Sequence, residues 1–82
     1  MVHKIKNEIN KDVELNEAFV ELIKRNIANR RQSVIFLTNN KITLNSRDIS
    51  VDYRVDDTLY VYRDGVLKDI IDVNHIVAII TK

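Results

Sequence analysis

The sequence predicts an α+β chain, mostly β: an N-terminal α-helix followed by a five-stranded, strongly bent antiparallel sheet that curls into a small open barrel. Three observations carry that expectation. Leu15, Phe19, Leu22, Ile23 and Ile27 recur at three- and four-residue steps, the spacing of one helix face. From Ser33 onward, short β-branched and aromatic runs replace that period. Two tight-turn signals, Asn39-Asn40 and Asp64-Gly65, punctuate those runs.

The first dozen residues alternate charge and Asn with isolated Val2, Ile5, Ile9 and Val13, a pattern compatible with a frayed helix or a mobile arm. Residues 1–14 are accordingly read as a flexible N-terminal arm and residues 15–82 as the folded domain. Asn16 is a good N-cap, because its side-chain oxygen can accept from an otherwise unpaired backbone N–H. Glu17 then sits where the helix dipole favours negative charge. Leu15 packing on Val20 would complete a hydrophobic staple. The expected helix runs from Glu17 to Ala28 and ends in the basic stretch Asn29-Arg30-Arg31-Gln32.

Ser33 to Thr38 is β-branched and aromatic, and Asn39-Asn40 can supply the positive φ of a tight turn. Lys41 to Val55 places Ile42, Leu44, Ile49, Val51, Tyr53 and Val55 mostly at two-residue steps. Asn45-Ser46-Arg47-Asp48 shifts their phase, so one long, bent or bulged strand is expected there. Asp56-Asp57 turns the chain into Thr58 to Arg63, and Asp64-Gly65 reverses it into Val66 to Val73. The last strand, His75 to Thr81, is nearly all apolar, as for a segment buried on both faces. Such an open barrel keeps two edges. Ile76 to Ile80 has no charge or Pro to blunt its edge, so pairing with a second subunit is the economical solution, and a closed ring would satisfy every edge.

Composition narrows the function. The chain has 82 residues, enough for one domain whose lone core is small for its surface. It contains no cysteine, which excludes disulfides and thiolate metal sites and fits a reducing cytoplasm. No apolar run approaches the about 20 residues of a membrane span, and Met1 to Lys6 leads into polar residues rather than a signal-peptide apolar region, so no membrane association is expected. Thirteen basic residues against twelve acidic ones give a net charge of +1, so nucleic-acid binding would rest on local clusters. No nucleophile–base pairing, Gly-rich phosphate loop or cofactor motif is recognisable, so the chain reads as a non-enzyme without cofactor or metal. Asp48, Asp52, Asp56, Asp57 and Asp64 fall in turns, where Asp is common for its own reasons.

Leu15-Asn16-Glu17-Ala18-Phe19-Val20, the basic helix end, and Ser33 to Asn40 resemble the opening of the bacterial Hfq branch of the Sm-like (LSm) RNA-binding proteins. There a helix of the form Leu-Gln-Asp-x-Phe-Leu leads through a basic patch into a strand ending in an Asn-Gly turn. Val73-Asn74-His75 followed by Ile76 to Ile80 resembles that family's Tyr-Lys-His motif and apolar last strand. The match covers roughly Leu15 to Lys82. The family's turn Gly is Asn40 here, Gly65 is the only glycine, and Tyr and Lys of the motif have become Val73 and Asn74. The resemblance implies an Sm-like barrel, a homo-oligomer with a hexameric ring as its form, single-stranded A-rich or U-rich RNA as ligand, a cytoplasmic role and post-transcriptional regulation as the process.

The resemblance also distributes the candidate residues over surfaces. Asn16, Glu17, Asn74 and His75 fall on the helix face near the pore, where a histidine ring nitrogen could bond ribose or a base edge. Asn16 and Glu17 have a sufficient alternative job as helix cap and first-turn residue, and His75 as a plain strand-end histidine. Lys24, Arg25, Arg30 and Arg31 form the dense basic cluster, a phosphate-contacting rim or simply a solvated helix end. Phe36, Asn39, Asn40 and Lys41 correspond to the opposite face, an aromatic platform for purine-rich strands, unless Phe36 packs inward. Tyr60 and Tyr62 share a face and either stack bases or pack across strands. The competing reading is a non-catalytic protein–protein interaction module of phage or plasmid type on the same oligomeric β-fold.

Overall fold

A computed structural model describes the backbone of residues 4–45 and 47–82, and the side chains from Leu15 onward with Ser46 excepted. A helix α1, Lys4–Ala28, precedes six strands: β1 Ser33–Leu37, β2 Lys41–Leu44, β3 Ile49–Tyr53, β4 Thr58–Arg63, β5 Val66–Asp72 and β6 Ile76–Thr81. A single 3-10 turn, Val73–His75, joins β5 to β6. The strands form two antiparallel three-stranded sheets, in the orders β2-β1-β6 and β3-β4-β5. The α+β, mostly β class is as expected. The strand count is not, because the long second strand is two strands, and the sheets do not close into a barrel.

The helix begins at Lys4, thirteen residues before the expected start at Glu17, and it takes in residues 4–14 of the expected arm. Residues 1–3 of that arm lie outside the described residues. Asn16 is therefore an interior residue and not an N-cap. Nothing between Lys4 and Ala28 breaks a helix, since neither Gly nor Pro occurs there. The side chain that would have capped a new start bonds to a distant residue instead. The buried stripe is Asn16, Val20, Ile23 and Asn26, with Phe19 and Ile27 packed at its margins. Leu15, the expected staple, is 49% exposed.

The helix ends where predicted, and its end has a specific geometry. Arg31 N–H donates to Asn26 O at 2.7 Å and Arg30 N–H to Ile27 O at 3.2 Å, while Arg30 adopts φ 57°. These are the paired bonds of a Schellman termination with Arg30 in the left-handed position.

Asp64 (φ 53°) and Gly65 (φ 79°) supply two successive positive φ values, and Arg63 faces Val66 across them. This is the primed two-residue hairpin that Asp-Gly predicts. Asn39 and Asn40 do not use positive φ. That reversal is held by a local bond, Leu37 N–H to Asn40 O at 2.7 Å, and a tertiary one, Thr38 N–H to His75 O at 3.1 Å, without the expected positive φ.

Ten apolar residues, among them Ile23, Ile35, Leu59, Val61, Ile71 and Val73, make the core between the two sheets and α1. Each fully buried Ile or Leu contributes about 2–3 kcal/mol of transfer free energy. The strand β4 shows clean alternation, with Leu59 and Val61 inward and Thr58, Tyr60 and Tyr62 half-exposed on the outer face. The strand β6 does not bury both faces as expected. It lies at the end of its sheet, paired on one side to β1, and leaves Val77 and Ile80 exposed. The other sheet ends on β5, with Val66, Leu67 and Ile70 exposed.

Candidate nucleic-acid interface

Three groups of candidate residues occupy three places on this frame. The first is built where α1 meets the 3-10 turn. Asn16, buried in the helix, donates from Nδ2 to Asn74 Oδ1 at 2.7 Å. Asp72 caps the 3-10 turn, accepting from Asn74 N–H at 3.0 Å through Oδ1, and its Oδ2 lies 3.7 Å from His75 Nε2. Asp72 and His75 are both well exposed, so their pairing leaves the imidazole available to a ligand. Leu15, Asn16, Asn74 and Ile76 line a pocket of about 370 Å³ at this junction. The predicted Asn16, Asn74 and His75 are thus brought together, and Asp72 joins them unforeseen. The spacing Asp-x-Asn, in which a carboxylate accepts from the backbone two residues on, is the local signal that could have found it.

Glu17 does not line this pocket. It is exposed and adds its charge to the surroundings of Tyr53 on β3. The Tyr53 hydroxyl donates to Asp57 Oδ1 at 2.5 Å, and that bond, with burial and the charges of Asp57 and Glu17, pushes the phenol up to about 12.

The second group is the basic one. Lys24 and Arg25 in the last turns of α1, and Arg30 and Arg31 just beyond it, are all exposed. Among the described residues the ion pairs are Arg54 with Asp52 at 2.6 Å and His75 with Asp72, so these four cations have no carboxylate partner.

The third group lies at the other end of β1. Phe36 faces Lys41 on β2 and Ala78 on β6, half-exposed, while its neighbour Ile35 is fully buried. The alternation of the strand puts Phe36 on the face opposite the core, which overturns the inward reading of that ring. Asn39, Asn40 and Lys41 are exposed beside it.

Tyr60 and Tyr62 stand on the outer face of β4, and the Arg54 guanidinium lies 4.6 Å from the centroid of the Tyr60 ring. Among the described residues, no three His, Asp or Glu side chains converge as a metal site, and no helix is long and apolar enough to cross a membrane. Comparisons with family models, with curated proteins and with solved structures returned no match.

Proposed function

We propose that this chain is an Hfq-like, Sm-like single-stranded RNA-binding protein that works as a ring-shaped homo-oligomer, a hexamer in its simplest form, in post-transcriptional regulation. The observation that carries the reading is the order and pairing of the elements. The helix precedes two sheets, the chain passes from β2 at the edge of one to β3 at the edge of the other, and the 3-10 turn with Val73-Asn74-His75 leads into an apolar last strand. Read as one bent strand, β2 and β3 leave β5 and β6 as the terminal edges. Both edges expose aliphatic side chains, Val66, Leu67 and Ile70 on one and Val77 and Ile80 on the other. Strand addition between β6 of one copy and β5 of the next would bury both rows and satisfy both backbone edges, and repeated head to tail it closes a ring.

RNA would then meet three repeated surfaces. The Asn16, Asn74 and His75 group offers amide and imidazole donors to ribose and base edges. The cations Lys24, Arg25, Arg30 and Arg31 offer phosphate contacts that do not read sequence. Phe36 with Asn39, Asn40 and Lys41 offers a stacking face. Such a protein needs no cofactor or catalytic group, and the lack of cysteine suits a cytoplasmic site of action.

Fluorescence anisotropy with labelled oligo(A) and oligo(U) at two salt concentrations tests the reading. Salt-dependent binding of either strand is expected, with Arg30→Ala/Arg31→Ala weakening both strands and flattening the salt slope. Phe36→Ala should act mainly on oligo(A) and His75→Ala mainly on oligo(U). Silence toward both strands would favour the second reading, a protein–protein interaction module. That alternative draws on the exposed face formed by Tyr60, Tyr62, Leu67 and Ile70, an apolar and aromatic surface of the kind protein interfaces use.

A further inference from the structure

We propose that the crease between the two sheets is a second binding site, one that takes a nucleoside monophosphate unit with its phosphate against Arg63 and Lys68 and its base over an apolar floor. The floor is part of the core. Leu44 at the end of β2, Ile49 at the start of β3 and Val61 on the inward face of β4 line a pocket of about 280 Å³. That is close to the about 300 Å³ at which small-ligand sites begin. The rim is charged and polar, made of Arg63, Lys68, Asp69 and the Thr43 hydroxyl.

The rim is built by a break in strand register. Val61 faces Asp69 while Tyr62 faces Leu67, so Lys68 is an extra residue in β5 with no partner on β4. In a regular strand Lys68 and Asp69 would point to opposite faces, whereas the bulge lets both line one pocket. Arg63 reaches the same pocket by ordinary alternation, two residues beyond Val61. Among the described residues neither Arg63 nor Lys68 has a carboxylate within ion-pair distance, although Asp69 lines the same space. Arg63 and Lys68, offset in part by Asp69 in the same space, leave the rim net positive above an apolar floor, which complements an anion with an apolar planar body. The Asp69 carboxylate and the Thr43 hydroxyl add an acceptor and a donor at the level where a base carries amino and ring N–H groups. A bulged lysine can also guard an edge strand against pairing. That role requires neither Arg63, which sits on the central strand β4, nor a floor of core residues.

A free mononucleotide and a nucleotide within an RNA strand bring the same chemistry, and only the second source rests on the RNA-binding reading. The test uses the full isotope-labelled chain, titrated with AMP, with adenosine and with inorganic phosphate while amide resonances are followed. Saturable shifts confined to Thr43, Leu44, Arg63, Lys68 and Asp69 are expected with AMP. Adenosine and phosphate alone should bind at least about tenfold more weakly, because each supplies half of the contacts. Arg63→Gln and Lys68→Gln should each weaken AMP by about tenfold, with unchanged resonances elsewhere reporting an intact fold. Displacement of AMP by oligo(A) would identify the strand as the source, and AMP binding that oligo(A) leaves untouched would identify the free nucleotide. No saturable shift in the crease at about 10 mM AMP, or equal affinity for AMP and phosphate, would overturn the proposal. Oligo(A) binding with a silent crease would sink this site alone, whereas AMP binding without any oligonucleotide binding would sink the RNA reading alone.

Discussion

The loss of Asn26 should cost this fold heavily. Its side chain is 3% exposed, and its Nδ2 donates to Ser33 Oγ at 2.8 Å and to Thr81 Oγ1 at 3.0 Å. One amide thus ties α1 to the start of β1 and to the end of β6. Replacing it by Ala removes two hydrogen bonds worth about 1 kcal/mol each and strips a partner from Ser33, itself 1% exposed, for about 1 kcal/mol more. The expected loss is about 3 kcal/mol. For a domain this small that corresponds to a fall in Tm of roughly 12–24 °C. Urea unfolding followed by circular dichroism, at one fixed protein concentration because assembly is linked to stability, measures it. Ser33→Ala should cost about 1 kcal/mol by itself, and the double variant less than the sum, since both changes remove the same bond. A loss below about 0.5 kcal/mol for Asn26→Ala, or strict additivity in the cycle, would refute the accounting.

Val77→Lys and Ile80→Lys place an ammonium on the outward side of β6 and should weaken self-association by at least about 3 kcal/mol per contact, read by light scattering as a shift toward monomer; an unchanged mass would exclude that edge from the interface. Ile79 packs against the core, so a charge there would perturb folding as well as association. Arg30→Gly should raise the unfolding free energy by about 1 kcal/mol, since φ 57° suits glycine, while lowering RNA affinity; a lower Tm would contradict the helix-end geometry. The Tyr53 phenol is raised in the folded state from 10.0 to about 12, so its contribution is fully present below pH 10 and is lost as pH climbs from 10 toward 12. Tyr53→Phe should lack that alkaline decline, and parallel pH–stability curves for the two proteins would disprove the link.

Much of the fold was legible where local chemistry decides it. The Asp64-Gly65 hairpin, the alternation of Thr58 to Arg63 and the end of the helix at Ala28 follow from short-range sterics and period, and no distant residue can override them cheaply. The start of the helix was not legible, because Asn16 satisfies cap chemistry and tertiary chemistry equally well on paper. Its actual partner, Asn74, is 58 residues away. The break at Asn45 to Asp48 reads as a bend because a bulge and a strand end produce the same phase slip; β2 stops at Leu44, and Asp48 at φ 59° sits just before β3 begins. The strand β6 read as doubly buried because an isolated sheet end and an inner strand have the same apolar composition. Within the candidate site, the sequence named Asn16, Asn74 and His75 but could not see that Asp72 organises the turn. It treated Lys68 as an ordinary strand residue, since a bulge is a property of two strands together and leaves no trace in one.

The unequal sequence reach of the two sheets sets an order of assembly. The sheet β3-β4-β5 is a meander whose neighbours are joined by short turns, so it closes small loops and can form early. The sheet β2-β1-β6 is complete only when Thr81 finds Ser33, after nearly all of the β region has been synthesised and folded. The strand that seals the fold is therefore also one of the strands with an exposed aliphatic edge. A nascent chain would expose that edge only after β1 to β5 have emerged, which shortens the window for off-pathway pairing of β6. Pulsed hydrogen exchange should accordingly show amides of β4 protected before those of β6, and simultaneous protection of both would remove the kinetic distinction.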